Sequence, residues 1–158
     1  MMDKYLLHRR TRYFSIKIFL SYKWEDLDYV NGIDGLLNNP NNEYSYITDR
    51  EREDLRHKGE KDVKNYLKKK IKNNNLILCL IGQNTHNATG VKYEIEVAKS
   101  LKKKIIAVRI PETTGGMPYT MRKWKVPLIE WNSKAINNAI RTPLIFKNYI
   151  CKSGNLDV

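Results

Sequence analysis

The sequence predicts a single α/β domain in which a five-stranded parallel sheet is covered by helices on both faces, a three-layer arrangement. Three observations predict it. Short β-rich apolar runs alternate with stretches of helical periodicity along most of the chain. One run, Leu76-Ile77-Leu78-Cys79-Leu80-Ile81, is apolar without a break, as expected of a strand buried on both faces. The elements follow one another as strand then helix, with a single long loop before the last strand, the order of a sheet built by right-handed crossovers.

Each element has its own signal. Residues 16–22 are β-rich and are expected as the first strand. Asp26 stands where it can cap a helix carrying Leu27, Val30 and Leu37, which ends in the loop Asn38-Asn39-Pro40-Asn41-Asn42. Residues 43–48, with Tyr44, Tyr46 and Ile47, read as a short second strand. Residues 49–58 are almost wholly charged and read as a loop or a frayed helix start. Across residues 59–72, Val63, Leu67 and Ile71 recur every fourth position and mark one buried helix face. Strand three is the apolar run 76–81, ending at Gly82. A third helix is expected over 90–103 and a fourth strand over 104–110. A loop containing Thr113-Thr114-Gly115-Gly116 leads to a fifth strand over 126–131. Ser133 is expected to cap a last helix carrying Ile136 and Ile140. Residues 1–15 read as a basic extension, on His8-Arg9-Arg10-Thr11-Arg12, residues 16–150 as the domain, and residues 151–158 as a tail.

The expected strand order is 2-1-3-4-5, the flavodoxin-like arrangement. The chain reverses direction between strands one and three, and open α/β sheets bind ligands at that reversal, beyond the carboxyl ends of the strands. The crevice is therefore expected between residues 21–26 and residues 82–91.

Composition narrows the function. The chain has 158 residues, with 29 Lys and Arg against 17 Asp and Glu, a net charge of +12. Such a balance favours anionic partners. The lysines fall in runs such as Lys68-Lys69-Lys70 and Lys102-Lys103-Lys104, which also read as solvated helix ends. They alternate with Asn-rich stretches, a mixture that an AT-rich genome produces without selection for charge. No aromatic-basic surface motif or helix-turn-helix pattern is present, so no specific nucleic acid is expected. No apolar stretch approaches the roughly 20 residues that span a bilayer, so no membrane partner is expected. Cys79 lies in an apolar run and Cys151 in the polar tail. With no CxxC pair or disulfide framework, a cytoplasmic setting fits. GxxxxGK[ST] and GxGxxG loops are absent. A receiver domain would need an aspartate ending strand three, where this chain has Gly82-Gln83. His8, His57 and His86 are isolated, and no metal site is expected.

Glu94 departs from this ordinary pattern. At about 100° per residue, Ala98, Leu101, Val91 and Val97 all fall within about 60° of it, while Glu96 lies about 160° away. Glu94 therefore sits mid-stripe on a face that should meet the sheet, where a carboxylate is costly unless it has a partner. Its place near the helix start would help, because the dipole there favours negative charge. Two readings follow from spacing alone: a carboxylate satisfying donors in the helix's first turn, or a carboxylate aimed at a ligand, with Ser21, Tyr22 and Tyr93 beside it.

Three stretches carry a resemblance. Ile18-Phe19-Leu20-Ser21-Tyr22-Lys23-Trp24-Glu25-Asp26 resembles the opening strand and loop of TIR domains, most closely the TIR-like proteins of the bacterial Thoeris anti-phage system. Leu78-Cys79-Leu80-Ile81-Gly82-Gln83-Asn84-Thr85 resembles their third strand and its exit. Val91-Lys92-Tyr93-Glu94-Ile95 resembles the stretch with the catalytic glutamate. The resemblance implies a cytoplasmic bacterial enzyme that consumes NAD as its substrate, with no separate cofactor. It implies cleavage of the nicotinamide–ribose bond and an ADP-ribose-type signal, a cyclic one by expectation. Glu94 would be the catalytic carboxylate, with Ser21, Tyr22, Trp24, Thr85 and Tyr93 around the substrate. Tyr22 or Trp24 would offer a stacking surface, and Lys23 or Lys92 would attract the diphosphate. Self-association on activation and a downstream effector that senses the product are the implied partners. The alternative is a TIR-like interaction module without catalysis. TIR enzymes often carry tryptophan four residues before the glutamate, and this chain has Gly90 there.

Overall fold

The computed structural model describes residues 15–42 and 44–142. The expected basic extension (save Ser15), the tail, Glu43, His8 and Cys151 lie outside them. The strands are β1 (Ser15–Ser21), β2 (Ser45–Arg50), β3 (Leu76–Ile81), β4 (Lys104–Arg109) and β5 (Leu128–Ile129). The helices are α1 (Leu27–Leu37), α2 (Glu60–Lys72), α3 (Thr89–Ser100), α4 (Tyr119–Lys123) and α5 (Ser133–Arg141). All strand pairs are parallel and the sheet order is β2-β1-β3-β4-β5. No helix among the described residues is long and apolar enough to cross a membrane.

Alternation along the strands divides the core in two. Ile18, Leu20, Leu78, Leu80, Ile106 and Val108 meet Val30, Ile33 and Leu37 of α1 and Ile136 and Ile140 of α5. Phe19, Ile77, Cys79, Ile81 and Ala107 meet Val63, Leu67 and Ile71 of α2 and Val91, Ile95 and Ala98 of α3. Every residue of β3 is buried, because it lies in the middle of the sheet with helices on both faces.

Several boundaries differ from expectation, each for a physical reason. β2 runs two residues later than expected and takes in Asp49 and Arg50, charges that an edge strand tolerates. β5 shrinks to Leu128–Ile129, since Pro127 has no N–H to give the ladder. Trp131 leaves the strand and stacks edge-on to Tyr29, with centroids 5.8 Å apart, over Gly32. α3 stops at Ser100 because Lys102 adopts φ 56°, and the Lys103 N–H closes back on the Ala98 carbonyl. Nothing in the side-chain pattern marks that stop, which glycine usually makes. Lys104, expected among solvated lysines, is buried, and its ammonium donates to the Ala139, Ile140 and Thr142 carbonyls at the end of α5. Asn132, not Ser133, caps α5 by accepting from the Ala135 N–H at 2.7 Å. Asp26 precedes α1 but makes no capping bond. A short 3₁₀ turn over Trp24–Asp26 directs its carboxylate under Gly82 instead. The loop expected over 111–125 contains the short helix α4.

Candidate active site

Ser21 is the last residue of β1 and is fully buried. Alternation turns it, like Phe19, toward the α2–α3 face, and parallel pairing sets it opposite Cys79 of β3. Glu94 comes down onto that point from the second turn of α3. It is 8% exposed, between the buried Val91, Ile95, Val97 and Ala98. The Ser21 hydroxyl donates to Glu94 Oε2. The bond joins helix to sheet and uses none of the helix's own N–H groups, which removes the reading of a first-turn cap.

Burial dominates the electrostatics here. It pushes the Glu94 carboxyl from 4.5 up to about 8. The Ser21 hydrogen bond opposes that, the charge of Glu51 adds to it and Lys70 opposes it. Burial also pushes up the Cys79 thiol beneath, with Glu94 adding to the effect. The helix dipole, expected to favour the anion, loses because Glu94 lies beyond the first turn, where the effect has faded.

Above Glu94 opens a cleft of about 910 Å³ at the carboxyl ends of β1, β2 and β3, at the reversal of the sheet. Its walls are residues 22–24, residues 51–56 and 58, and residues 87–91 with Tyr93 and Glu94. Tyr22 is partly buried in one wall. Burial raises its phenol, and the neighbouring Arg50 guanidinium opposes the rise. Trp24 stands on the rim, 69% exposed. Tyr93 lines the opposite side, with the Lys64 ammonium 5.4 Å from its ring centroid. Gly90 also faces the cleft, and a Cβ there would meet nothing within 4 Å.

Not every expected residue reaches the cleft. Ser21 lies outside its lining and bonds Glu94. Thr85 is fully buried. Its hydroxyl accepts from the Gly82 N–H at 2.8 Å and donates to the Leu80 carbonyl at 3.3 Å, so it shapes the exit of β3 and lines no part of the cavity. Lys23 lines the cleft but pairs with Glu25 at 3.3 Å. Lys92 turns toward Glu96 at 4.0 Å. Glu96, on the opposite side of the helix from Glu94, bonds the Lys64 ammonium at 2.9 Å.

The wall that sequence reasoning missed is the charged segment after β2. Its local pattern shows only polarity. The signal was topological: β2 neighbours β1 in the predicted order, so its exit must open on the same crevice.

The arrangement offers a reactant one buried carboxyl, neutral until something favours its anion, under aromatic rims and amid mixed charge. A family profile described as "Thoeris protein ThsB, TIR-like domain" matches residues 19–115, which hold the end of β1 from Phe19 to Ser21 and every residue of the cleft. Among solved structures, the TIR domain of the Toll-related receptor TRR-2 from the lower metazoan Hydra magnipapillata superposes with a TM-score of 0.50. It is 14% identical, and the match covers 85% of this chain and 95% of that one. At that identity the likeness is one of fold. No curated protein sequence matches the chain.

Proposed function

The chain belongs to the ThsB family of TIR-like Thoeris proteins, and on that premise we propose that it cleaves NAD at the nicotinamide–ribose bond, with Glu94 as the catalytic carboxylate. One observation carries the reading: a carboxylate buried in an apolar helix stripe, held by Ser21, at the floor of a 910 Å³ cleft. A core has no use for such a group, whose burial is costly.

The chemistry follows from charge. When the bond from ribose C1 to nitrogen breaks, the electron pair leaves with nicotinamide, which departs neutral. The positive charge then spreads over C1 and the ring oxygen of the ribose. An ionised Glu94 at that sugar stabilises the charge, as carboxylates do in glycoside cleavage. Burial holds the Glu94 carboxyl up at about 8, which favours its neutral form. The substrate's pyridinium is the counter-charge that favours its anion on binding. Water or a substrate hydroxyl then adds to C1 and loses its proton, giving linear or cyclic ADP-ribose. We read the product as a cyclic signal sensed by a downstream effector. Trp24 and Tyr22 are the stacking surfaces in this reading, and self-association completes activation.

Gly90 favours a second reading, because position 90 offers the cleft no aromatic shelf and leaves Tyr93 as the ring that α3 presents there. In that case the chain is a TIR-like interaction module without catalysis. The deciding experiment is NAD consumption by the full chain and by Glu94→Ala at high protein concentration, with products separated by chromatography. Nicotinamide release by wild type alone supports the enzyme. Inert wild type, even after infected-cell extract is added, favours the module.

A further inference from the structure

The two oxygens of Glu94 are not equivalent. Oε2 accepts the Ser21 hydroxyl. Oε1 accepts no hydrogen bond among the described residues, yet it is not sealed in. The side-chain atoms there that are both buried and unpartnered belong to Asp26, Arg50, Glu51 and Thr120, and Glu94 is not among them. Glu94 lines the cleft, so Oε1 is its opening to that space.

The donor is well placed to hold this arrangement. Ser21 ends β1, pairs with Cys79 of the central strand and is fully buried. A hydroxyl on a packed strand is more precisely held than one on a loop. Glutamate has several rotatable bonds and keeps that freedom unless its head is gripped. Its buried neighbours on α3, Val91, Ile95, Val97 and Ala98, offer no polar side chain to do so. The Cys79 thiol turns to the Leu80 carbonyl at 3.9 Å and leaves the Ser21 hydroxyl to Glu94. Ser21 forms no part of the cleft walls, so a ligand there meets the carboxyl and not the hydroxyl.

We propose that Ser21 is a positioning residue for Glu94: by gripping Oε2 from the end of β1, it turns Oε1 to the cleft as the oxygen that meets the ribose. This rests on Glu94 being the reactive carboxylate. Ser21, expected around the substrate, thus serves through the carboxyl instead. The proton of a neutral Glu94 leaves for solvent through Oε1, the open oxygen, while Oε2 stays bonded. A carboxylate accepts a hydrogen bond more strongly than a neutral carboxyl does. The grip therefore tightens as Glu94 ionises, when positive charge builds at ribose C1.

The test compares Ser21→Ala with Cys79→Ala in the full chain. Each removes one buried atom on the same face of the sheet, and only the first removes the grip. For nicotinamide release from NAD, Ser21→Ala should lower kcat about 10- to 100-fold, as misplacing a reacting group does. Its KM, and the kcat of Cys79→Ala, should stay within about threefold of wild type. A Ser21→Ala chain that keeps kcat and loses NAD affinity makes Ser21 a substrate contact and overturns the proposal. Equal kcat losses in the two variants make its role packing and overturn it too. Independently of turnover, ¹³C NMR titration of the Glu94 carboxyl, assigned with Glu94→Gln, should show its midpoint rise by about one pH unit in Ser21→Ala, as the anion loses its donor. Glu51, Lys70, Cys79 and Tyr22, which also bear on Glu94, are unchanged in that variant. Ser21→Cys keeps the shape with a weak donor. It should move both readouts the same way, and it serves if Ser21→Ala does not fold. An unmoved midpoint overturns the proposal. If wild type releases no nicotinamide while the midpoint rises, Ser21 still holds Glu94 and only the enzymatic reading falls.

Discussion

Replacing Glu94 by glutamine should make the protein more stable at alkaline pH, by an amount that shrinks as the pH falls. The Glu94 carboxyl titrates near 4.5 when unfolded and at about 8 in the fold. Between those values the folded chain keeps a proton that the unfolded chain has lost. Stability is therefore full below about pH 4.5, falls as pH rises toward about 8, and is flat above, the reverse of a salt-bridged carboxylate. At about 1.4 kcal/mol per pH unit, the window carries at most about 5 kcal/mol. Glutamine keeps an acceptor for the Ser21 hydroxyl and cannot ionise. Its amide donors enter an apolar wall, which costs about 1–3 kcal/mol. Glu94→Gln should thus be equal to or slightly less stable than wild type at pH 5, and about 2–4 kcal/mol more stable at pH 8.5. For a chain of this size that gain is roughly 4–16 °C in Tm. Urea unfolding followed by circular dichroism at pH 5, 6.5 and 8.5 measures it. Asp26, also raised by burial, adds a slope of the same sign to both proteins, so the difference between them is the quantity to read. A difference that stays constant with pH would refute the argument.

Two further outcomes follow from the geometry. A Cβ at Gly115 would collide with the carbonyl oxygens of Gly82 and Gln83, while one at Gly90 enters open space. Gly115→Ala should lower stability by about 3 kcal/mol or more, whereas Gly90→Ala, in the first turn of α3, should raise it by about 0.5–1 kcal/mol. Thermal melts of the two variants should move in opposite directions. Trp24 stands exposed on the cleft rim, so Trp24→Ala should leave the melting temperature within about 2 °C of wild type. The same change should weaken NAD binding measured by calorimetry, and unchanged binding would remove Trp24 from the site.

The parts of the fold that were legible are those with local causes. β3 announces itself because a strand buried on both faces needs six apolar residues in a row. α2 is readable from the recurrence of Val63, Leu67 and Ile71, and Glu94 from its place among Val91, Val97 and Ala98. These are consequences of the two backbone periods, which any short window of sequence carries. The order of the sheet follows from the order of those elements and the handedness of their connections.

Other features depend on residues far apart in the chain. Sequence placed Thr85 in the crevice by its distance from strand three, but the fold turns its hydroxyl inward to the carbonyl of Leu80. The end of α3 is made by Lys102 in a left-handed conformation that no glycine signals. The charged segment after β2 becomes a cleft wall only because β2 lies beside β1.

By itself, then, the sequence determined the elements, their faces, the order of the sheet and the one carboxylate that does not belong in a core. Only the tertiary structure decided what that carboxylate meets: the hydroxyl of Ser21, at a separation of 73 residues, at the end of β1. The physical reason is register. Which residue stands level with which across neighbouring strands is set by the summed packing of both core layers, and no local stretch of sequence contains that sum.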